Sequence, residues 1–264
     1  MSIASGSLGH NVLVQTLDST QVQSFHRGIP GSAHRRVVLR SANQRELLVT
    51  EAGSTEITPI TLDFGVDEGF GSRARLGLIV LESDQTIEPE TGSINLDGVA
   101  IYHSRIANEL HVTPATLMAM KARLPAAAAL LPTEFEFDAI AYGCTSASTF
   151  IGDDAVAEAI TASHPNAKTT NPITASIAAF GALGAKRIRI VTPYSAVVTE
   201  PVVNKFSDAG FEVVTVGSFL EQSDLVVARI SESSVAAAVR QVTAATTCDA
   251  VFVSCTSVRG CARS

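Results

Sequence analysis

Two cysteines follow the same kind of segment at two places in this chain, and a pair of thiols can do acid-base or nucleophilic chemistry. Residues 138–146 have the sequence DAIAYGCTS, and residues 249–257, which lie 111 positions later, have the sequence DAVFVSCTS. Each apolar run is typical of a strand that ends at a small residue and a cysteine. Ligands bind at the carboxyl ends of parallel strands. If two such halves face each other, Cys144 and Cys255 reach one small substrate from opposite sides and can move a proton between the two faces of a carbon atom.

Other interpretations of the cysteines remain open. A cysteine at the end of an apolar strand is usually a small buried hydrophobic side chain. Core packing does not require Cys-Thr-Ser to recur after Asp-Ala-aliphatic, so the recurrence favours a functional pair. A redox protein would require Cys144 and Cys255 to form a disulfide, and Cys248 and Cys261 are predicted to be incidental. Catalysis also requires a lowered thiol pKa or a neighbouring base, because a thiol with a pKa of ~8.5 is mostly protonated at neutral pH.

The amino-acid composition disfavours several classes of protein function. The chain has 264 residues, of which 46% are hydrophobic and 17% charged, so a globular protein without a membrane span is expected. Four cysteines and no signal-like segment near Met1 favour a reducing, cytoplasmic compartment. Six scattered histidines and the lack of a C-x-x-C pattern argue against a metal site. The net charge of -7 and the absence of tryptophan disfavour nucleic acid as a partner. The sequence is also compatible with a protein that forms a homo-oligomer.

The first 73 residues differ from the rest and are predicted to form an N-terminal extension. Residues 1–45 carry a net charge of +4 and the remainder carries -11. This arginine-rich, acid-poor segment is predicted to be a disordered leader, with an organelle transit peptide as the alternative. Short strands are predicted within 36–62, and Gly65, Gly69 and Gly71 indicate a linker.

From residue 74 onwards strands alternate with helices, which predicts an α/β fold with parallel sheets. The halves are expected at 74–186 and 187–264. Only nine residues follow Cys255, whereas 42 separate Cys144 from Arg187, so the second half is predicted to be truncated. Strands are predicted at 76–81, 99–102, 139–143, 187–191, 211–216 and 250–253. Helices are predicted at 113–130, 154–162, 171–183, 197–209 and 234–244.

Several segments together give a family resemblance. Residues 74–259 resemble the aspartate/glutamate racemase superfamily, and most closely its maleate cis-trans isomerase branch, which also contains arylmalonate decarboxylases and ectoine-utilisation proteins. The resemblance implies two pseudo-symmetric Rossmann-like halves, an active site between them, a small carboxylic acid as substrate, and no metal or organic cofactor. The matching segments are RLGLIV at 75–80 with TIEPE at 86–90, YGCTS at 142–146, VTPY at 191–194 and VSCTSVR at 253–259.

The resemblance also implies roles for individual residues. Cys144 would be the nucleophile or first base, and Cys255 the opposing acid or base. Tyr194 would hydrogen-bond the substrate, or else be an interface tyrosine with a satisfied hydroxyl group. Residues that would hold the substrate carboxylates at the strand-to-helix turns are Thr145, Ser146, Thr256 and Ser257.

One departure from the family pattern concerns the substrate. Maleate isomerases usually carry Ser-Asn-Thr-Thr after the first strand, whereas this chain has SDQT at 83–86. Asp84 would repel a dianion unless it is protonated or paired, and an acid there suits a substrate that carries an amine. A maleate-type isomerase and an amino-acid racemase therefore remain open. An arylmalonate-type decarboxylase and a non-catalytic, truncated relative are the alternatives.

Overall fold

The described part of the chain falls into two units. A computed structural model describes residues 35–40, 46–51, 59–94, 96–245 and 247–260. Contacts between residues divide the chain into 1–65 and 66–264. In the first unit, β1 (Arg35–Arg40) pairs antiparallel with β2 (Glu46–Glu51), where short strands were predicted. The strand predicted up to Leu62 is wrong for residues 59–62, which form no regular structure; residues 57 and 58 lie outside the described residues.

The structure describes only some of the residues to which the N-terminal predictions apply. Residues 1–34 and 41–45 lie outside the described residues, and so does most of the predicted leader or targeting segment. The boundaries predicted at residues 73 and 186 stay predictions. Within the described part of the chain, no helix is both long enough and apolar enough to cross a bilayer.

The first parallel sheet lies in the second unit and carries Cys144 at one strand end. Its strands are β3 (Ala74–Leu81), β4 (Val99–Ile106), β5 (Ala139–Gly143) and β6 (Lys168–Thr170). The strand order is β4-β3-β5-β6, and every pair is parallel. The central strand β3 is a continuous apolar run because helices cover both faces of a parallel sheet, and Ile79 and Val80 are fully buried. The helices are α1 (Ile87–Ser93), α2 (Pro114–Ala119), α3 (Leu124–Ala128), α4 (Thr145–Ile151), α5 (Asp153–Thr161) and α6 (Pro172–Ala182).

The second parallel sheet repeats this arrangement around Cys255. Its elements are β7 (Arg187–Thr192), α7 (Ala196–Asp208), β8 (Glu212–Ser218), α8 (Asp224–Val227), α9 (Glu232–Thr243) and β9 (Ala250–Val253). The strand order is β8-β7-β9, so the strand that leads to the cysteine again lies beside the central strand. The predicted α/β fold with two parallel sheets is confirmed. The described residues give this sheet three strands; truncation of the half stays a prediction, and Cys261 lies outside the described residues.

The aspartate that opens each repeated segment has the same structural role in both halves. Asp138 Oδ2 accepts a hydrogen bond of 2.8 Å from the backbone amide of Arg75, which belongs to β3. Asp249 Oδ2 accepts bonds of 2.8 Å from the amides of Lys186 and Arg187, where β7 begins. These bonds from Arg187 and Lys186 lower the pKa of Asp249. Each aspartate therefore ties the cysteine-bearing strand to the central strand of its sheet.

Some predicted elements require correction. The helix predicted over 113–130 is interrupted, and α2, a 3-10 turn (Met120–Ala122) and α3 follow one another in its place. Pro125 explains the break, because proline lacks a backbone N–H and clashes with the preceding turn. Thr113 does cap α2, since its side chain accepts a hydrogen bond from the Thr116 amide at 3.2 Å. The short elements α1, α4, β6 and α8 were not predicted.

Candidate active site

One small enclosed cavity lies where β5 and β9 end, and both cysteines line it. We call it the two-thiol cavity. The space open to a water-sized molecule is about 10 Å³, which is roughly the room that a single water needs. Of the residues predicted from the sequence, it brings together Cys144, Ser146, Tyr194, Cys255 and Thr256. The other lining residues are Leu81, Asn108, Glu109, His111, Val112, Thr116, Leu117, Met120 and Asp224.

Cys144 is held at the first turn of α4. It is the N-cap residue, and its Sγ accepts a hydrogen bond from the Ala147 amide at 3.4 Å. The residue is 3% exposed. Burial raises the pKa of this thiol to about 12, the neighbouring Cys255 adds to the increase, and the bonds from Ala147 and Ser146 oppose it. In this closed arrangement the Cys144 side chain is therefore a neutral thiol at pH 7.

Cys255 has an unusual backbone conformation. Its φ is 86°, in the left-handed region that residues other than glycine rarely adopt, and a conformation of this kind costs about 1–3 kcal/mol. Burial raises the pKa of its thiol to about 11, while a hydrogen bond from Tyr194 lowers it. The repeated Cys-Thr-Ser segments thus differ in backbone shape, since a helix follows Cys144 and a strained turn contains Cys255.

Tyr194 joins the two halves of the cavity through its hydroxyl group. The side chain is 2% exposed, and its hydroxyl donates a hydrogen bond to the Cys255 sulfur and accepts one from Ser146. Burial, followed by the two cysteines, raises the pKa of Tyr194 well above its usual value. The tyrosine therefore stays protonated and acts as a hydrogen-bond donor in this site.

Three of the predicted site residues support the cavity from outside its lining. Asp84 is 3% exposed, and its Oδ1 accepts hydrogen bonds from the amides of Thr86 at 2.7 Å and Ile87 at 2.9 Å. Its Oδ2 accepts a bond from Ser257 Oγ at 3.4 Å. Thr145 Oγ1 accepts a bond from the Cys255 amide at 3.4 Å. The bonds from Ser257 and from the Cys255 amide tie the first half to the second; a direct role of Asp84, Thr145 and Ser257 in substrate binding stays a prediction.

Sequence reasoning missed Asp224, a buried carboxylate that lines the two-thiol cavity. Asp224 is 4% exposed, and its Oδ2 accepts bonds from Ser83 Oγ at 3.0 Å and Asn108 Nδ2 at 3.2 Å. Burial raises the pKa of Asp224 to about 6, and the charge of Asp84 adds to this increase. Its sequence neighbourhood carries no signal, because Asp224 lies in the first turn of α8, a helix of only four residues. Within 59–94, 96–245 and 247–260, no group of three or more His, Cys, Asp or Glu side chains could hold a metal ion.

We expect Asp224→Asn to stabilise the protein in a pH-dependent way. The folded protein holds the Asp224 proton up to a pKa of about 6, against 3.8 as the ordinary value, so the wild type loses stability as pH rises between these values. Asparagine keeps an acceptor for Ser83 and Asn108 without the charge. The variant should gain about 3 kcal/mol at pH 7.5 and nothing at pH 3.5. Denaturant unfolding at both pH values measures this difference, and an equal gain at both would contradict it.

Comparison with known proteins supports the family resemblance that the sequence motifs indicate. A sequence model described as arylmalonate decarboxylase matches residues 76–263, which is well over half of the chain. The chain belongs to the arylmalonate decarboxylase family. The predicted resemblance to the branch that also contains maleate isomerases is confirmed. No curated protein sequence matches this member of the family.

Solved structures share the fold of this arylmalonate decarboxylase family member. The maleate isomerase Iso from Pseudomonas putida S16 is 24% identical with a TM-score of 0.63, over 71% of this chain and 80% of that one. The Nocardia farcinica maleate cis-trans isomerase bound to TRIS gives the same values. A mutant arylmalonate decarboxylase in its liganded form is 18% identical with a TM-score of 0.61, over 70% of this chain and 79% of that one. Together with the family match, these neighbours support an enzyme of this family.

Proposed function

We propose that this protein is a cofactor-independent isomerase or racemase that acts on a small carboxylic acid through Cys144 and Cys255. The observation that carries the proposal is that both thiols, from equivalent strand ends of two halves, line one cavity. Ser146, Tyr194 and Thr256 line the same cavity with hydroxyl groups, which can bind the substrate carboxylate. Opposed acid and base groups of this kind are suited to moving a proton across a carbon atom.

In a racemase, one sulfur would take a proton and the other would supply one. A thiolate removes the proton on the carbon next to the carboxylate, and the electron pair of the broken C–H bond moves into the carboxylate. The opposite thiol then gives its proton to the other face of that carbon. The reaction ends with the thiol and the thiolate exchanged, so no other reactant is consumed.

In a cis-trans isomerase, one sulfur would form a covalent bond to the substrate. The thiolate adds to one carbon of the double bond, and the second thiol gives a proton to the other carbon. The resulting single bond rotates, and loss of the same proton and of the sulfur restores a double bond in the trans form. A structure of the Nocardia farcinica maleate cis-trans isomerase, with one cysteine replaced by serine, contains a covalently bound succinylcysteine intermediate, which supports this route.

The closed cavity implies that the site must open and that one thiol must ionise. Its open space of about 10 Å³ is too small for a carboxylic acid. Backbone bonds between the halves close one wall: Val112 donates to Gln222 O at 2.9 Å, and Asp224 donates to Leu110 O at 3.0 Å. Separation of these segments would admit substrate. The hydrogen bond from Tyr194 lowers the pKa of Cys255, and the assignment of Cys144 as first base stays a prediction.

A decarboxylase is the second candidate function, and the family match favours it. After loss of carbon dioxide from a malonate, one thiol could protonate the carbon that keeps the electron pair. This reaction needs a single acid, whereas the cavity holds two thiols. The second cysteine is therefore the reason to place the isomerase or racemase first.

Proton NMR in deuterated water separates these functions. Maleate, aspartate, glutamate and an arylmalonate are each incubated with the protein. Isomerisation converts the maleate signal into that of the trans isomer, racemisation removes the α-proton signal of an amino acid, and decarboxylation yields a new monoacid. We expect isomerisation or α-exchange, abolished when both cysteines are replaced by alanine and preserved in Cys248→Ala. Decarboxylation alone would favour the second candidate, and no reaction with any of the four acids would contradict both.

A further inference from the structure

Asp224 differs from Glu109, the other carboxylate that lines the two-thiol cavity, because it forms no ion pair among the described residues. Glu109 also lines the cavity, but its Oε1 pairs with Nη2 of Arg123 at 2.5 Å, so its charge is compensated. Asp224 is in no ion pair among the described residues. Its two hydrogen bonds come from Ser83 and Asn108, which are neutral donors. The cavity therefore contains one buried carboxylate whose negative charge has no counterpart within the described residues.

The hydrogen bonds of Asp224 leave one oxygen available. Both bonds reach Oδ2, and within 59–94, 96–245 and 247–260 no hydrogen bond reaches Oδ1. The residue is 4% exposed, which leaves Oδ1 little contact with solvent outside the cavity. A buried charge with an unsatisfied oxygen is costly unless a ligand completes it. A cationic donor in the cavity would satisfy both the charge and the hydrogen bond.

The charge of Asp224 acts on the reacting groups as well. It raises the pKa of both Cys144 and Cys255, although burial is the larger cause in each case. The thiols thus lie in a negative field, which opposes formation of the thiolate that the chemistry requires. A dicarboxylate dianion would strengthen this field, whereas an ammonium group beside Asp224 would offset it.

We propose that Asp224 is a specificity-determining residue that binds the ammonium group of the substrate, so that the substrate class of this site is an amino acid rather than a simple dicarboxylate. The proposal rests on the proposed function, because it names the substrate class of the same cavity. An ammonium group has three N–H donors, one of which can satisfy Oδ1 of Asp224. The substrate itself then brings the positive charge that favours ionisation of one thiol.

Binding of matched ligand pairs tests this proposal independently of turnover. Aspartate is compared with succinate, and glutamate with glutarate, so that the members of a pair differ only in the amine. Calorimetry on the full chain should show that the wild type binds one amino acid at least tenfold more tightly than its amine-free partner. Asp224→Asn should weaken binding of that amino acid about 30-fold, as expected when one partner of a buried charge pair is removed. Binding of the amine-free acid should be unchanged or tighter.

Glu221→Gln is the matched control. It makes the same change of charge three residues away, outside the cavity lining, and glutamine keeps the Oε1 acceptor for the amides of Gln222 and Ser223. We expect it to leave both affinities unchanged. Equal binding within each pair by the wild type, no binding of either amino acid, or an unchanged preference in Asp224→Asn would overturn the proposal. Preferred binding of an amino acid without turnover would contradict the proposed function and leave the role of Asp224 intact.

Discussion

Replacing Cys144 with alanine is expected to lower the turnover number about 10³-fold, within the range that a positioned acid or base contributes to catalysis. The loss follows because alanine can neither accept nor donate the proton and cannot form a bond to the substrate. Cys255→Ala should have an effect of the same size, since the proposed mechanism uses one thiol on each face of the substrate. The measurement is the initial rate in deuterated water, followed by NMR, with whichever acid the wild type converts.

Stability must be measured beside activity for this first prediction. Each cysteine is a small side chain, so its truncation should cost about 1 kcal/mol and leave the protein folded. Cys248→Ala is the control, because Cys248 is half-buried and lies outside the lining of the two-thiol cavity. A folded Cys144→Ala variant that keeps more than a tenth of the activity would show that this sulfur does not take part in the reaction.

Alkylation of the two cavity thiols should be slow at neutral pH and should accelerate steeply with pH. Their pKa values of about 12 and about 11, against the ordinary value of 9.0, leave ~10³-fold and ~10²-fold less thiolate at pH 7.5. The greater nucleophilicity of a more basic thiolate offsets part of this deficit. We expect iodoacetamide to modify Cys144 and Cys255 at least tenfold more slowly than Cys248, with about a tenfold gain in rate per pH unit up to pH 10.

Peptide mapping by mass spectrometry separates the cysteines in this second experiment. Unfolding in guanidinium should make all of them react at similar rates, which shows that burial causes the protection. A substrate that opens the cavity should accelerate modification of Cys144 or Cys255 when it is bound to only a small fraction of the protein molecules. Rapid modification of both thiols in the folded protein at pH 7 would contradict their raised pKa values.

The fold could be predicted from local patterns because burial on both faces of a parallel sheet leaves an apolar run. The run at 76–81 and the two segments that lead to Cys144 and Cys255 indicated strands for this reason. Pro125 is the sequence signal for the break in the helix predicted over 113–130, because proline cannot continue a helix. The short elements β6 and α8 had no pattern long enough to indicate them.

The site could be predicted only in part. The positions of Cys144, Cys255 and Tyr194 followed from strand ends and from the family resemblance. Asp224 did not, because its partners Asn108 and Ser83 lie 116 and 141 residues away in the sequence. The increase in both thiol pKa values could not be predicted from the sequence either, because it arises from burial by elements of both halves and not from neighbours in the sequence.

The most direct test of the central claim is a double-mutant cycle of the two cysteines, measured by initial rates. If the two sulfurs act as one catalytic unit, Cys144→Ala and Cys255→Ala should each lose as much activity as the double variant. The predicted result is therefore three variants with the same residual rate, all folded. Losses that simply multiply, or one cysteine whose removal has no effect, would contradict a two-thiol site.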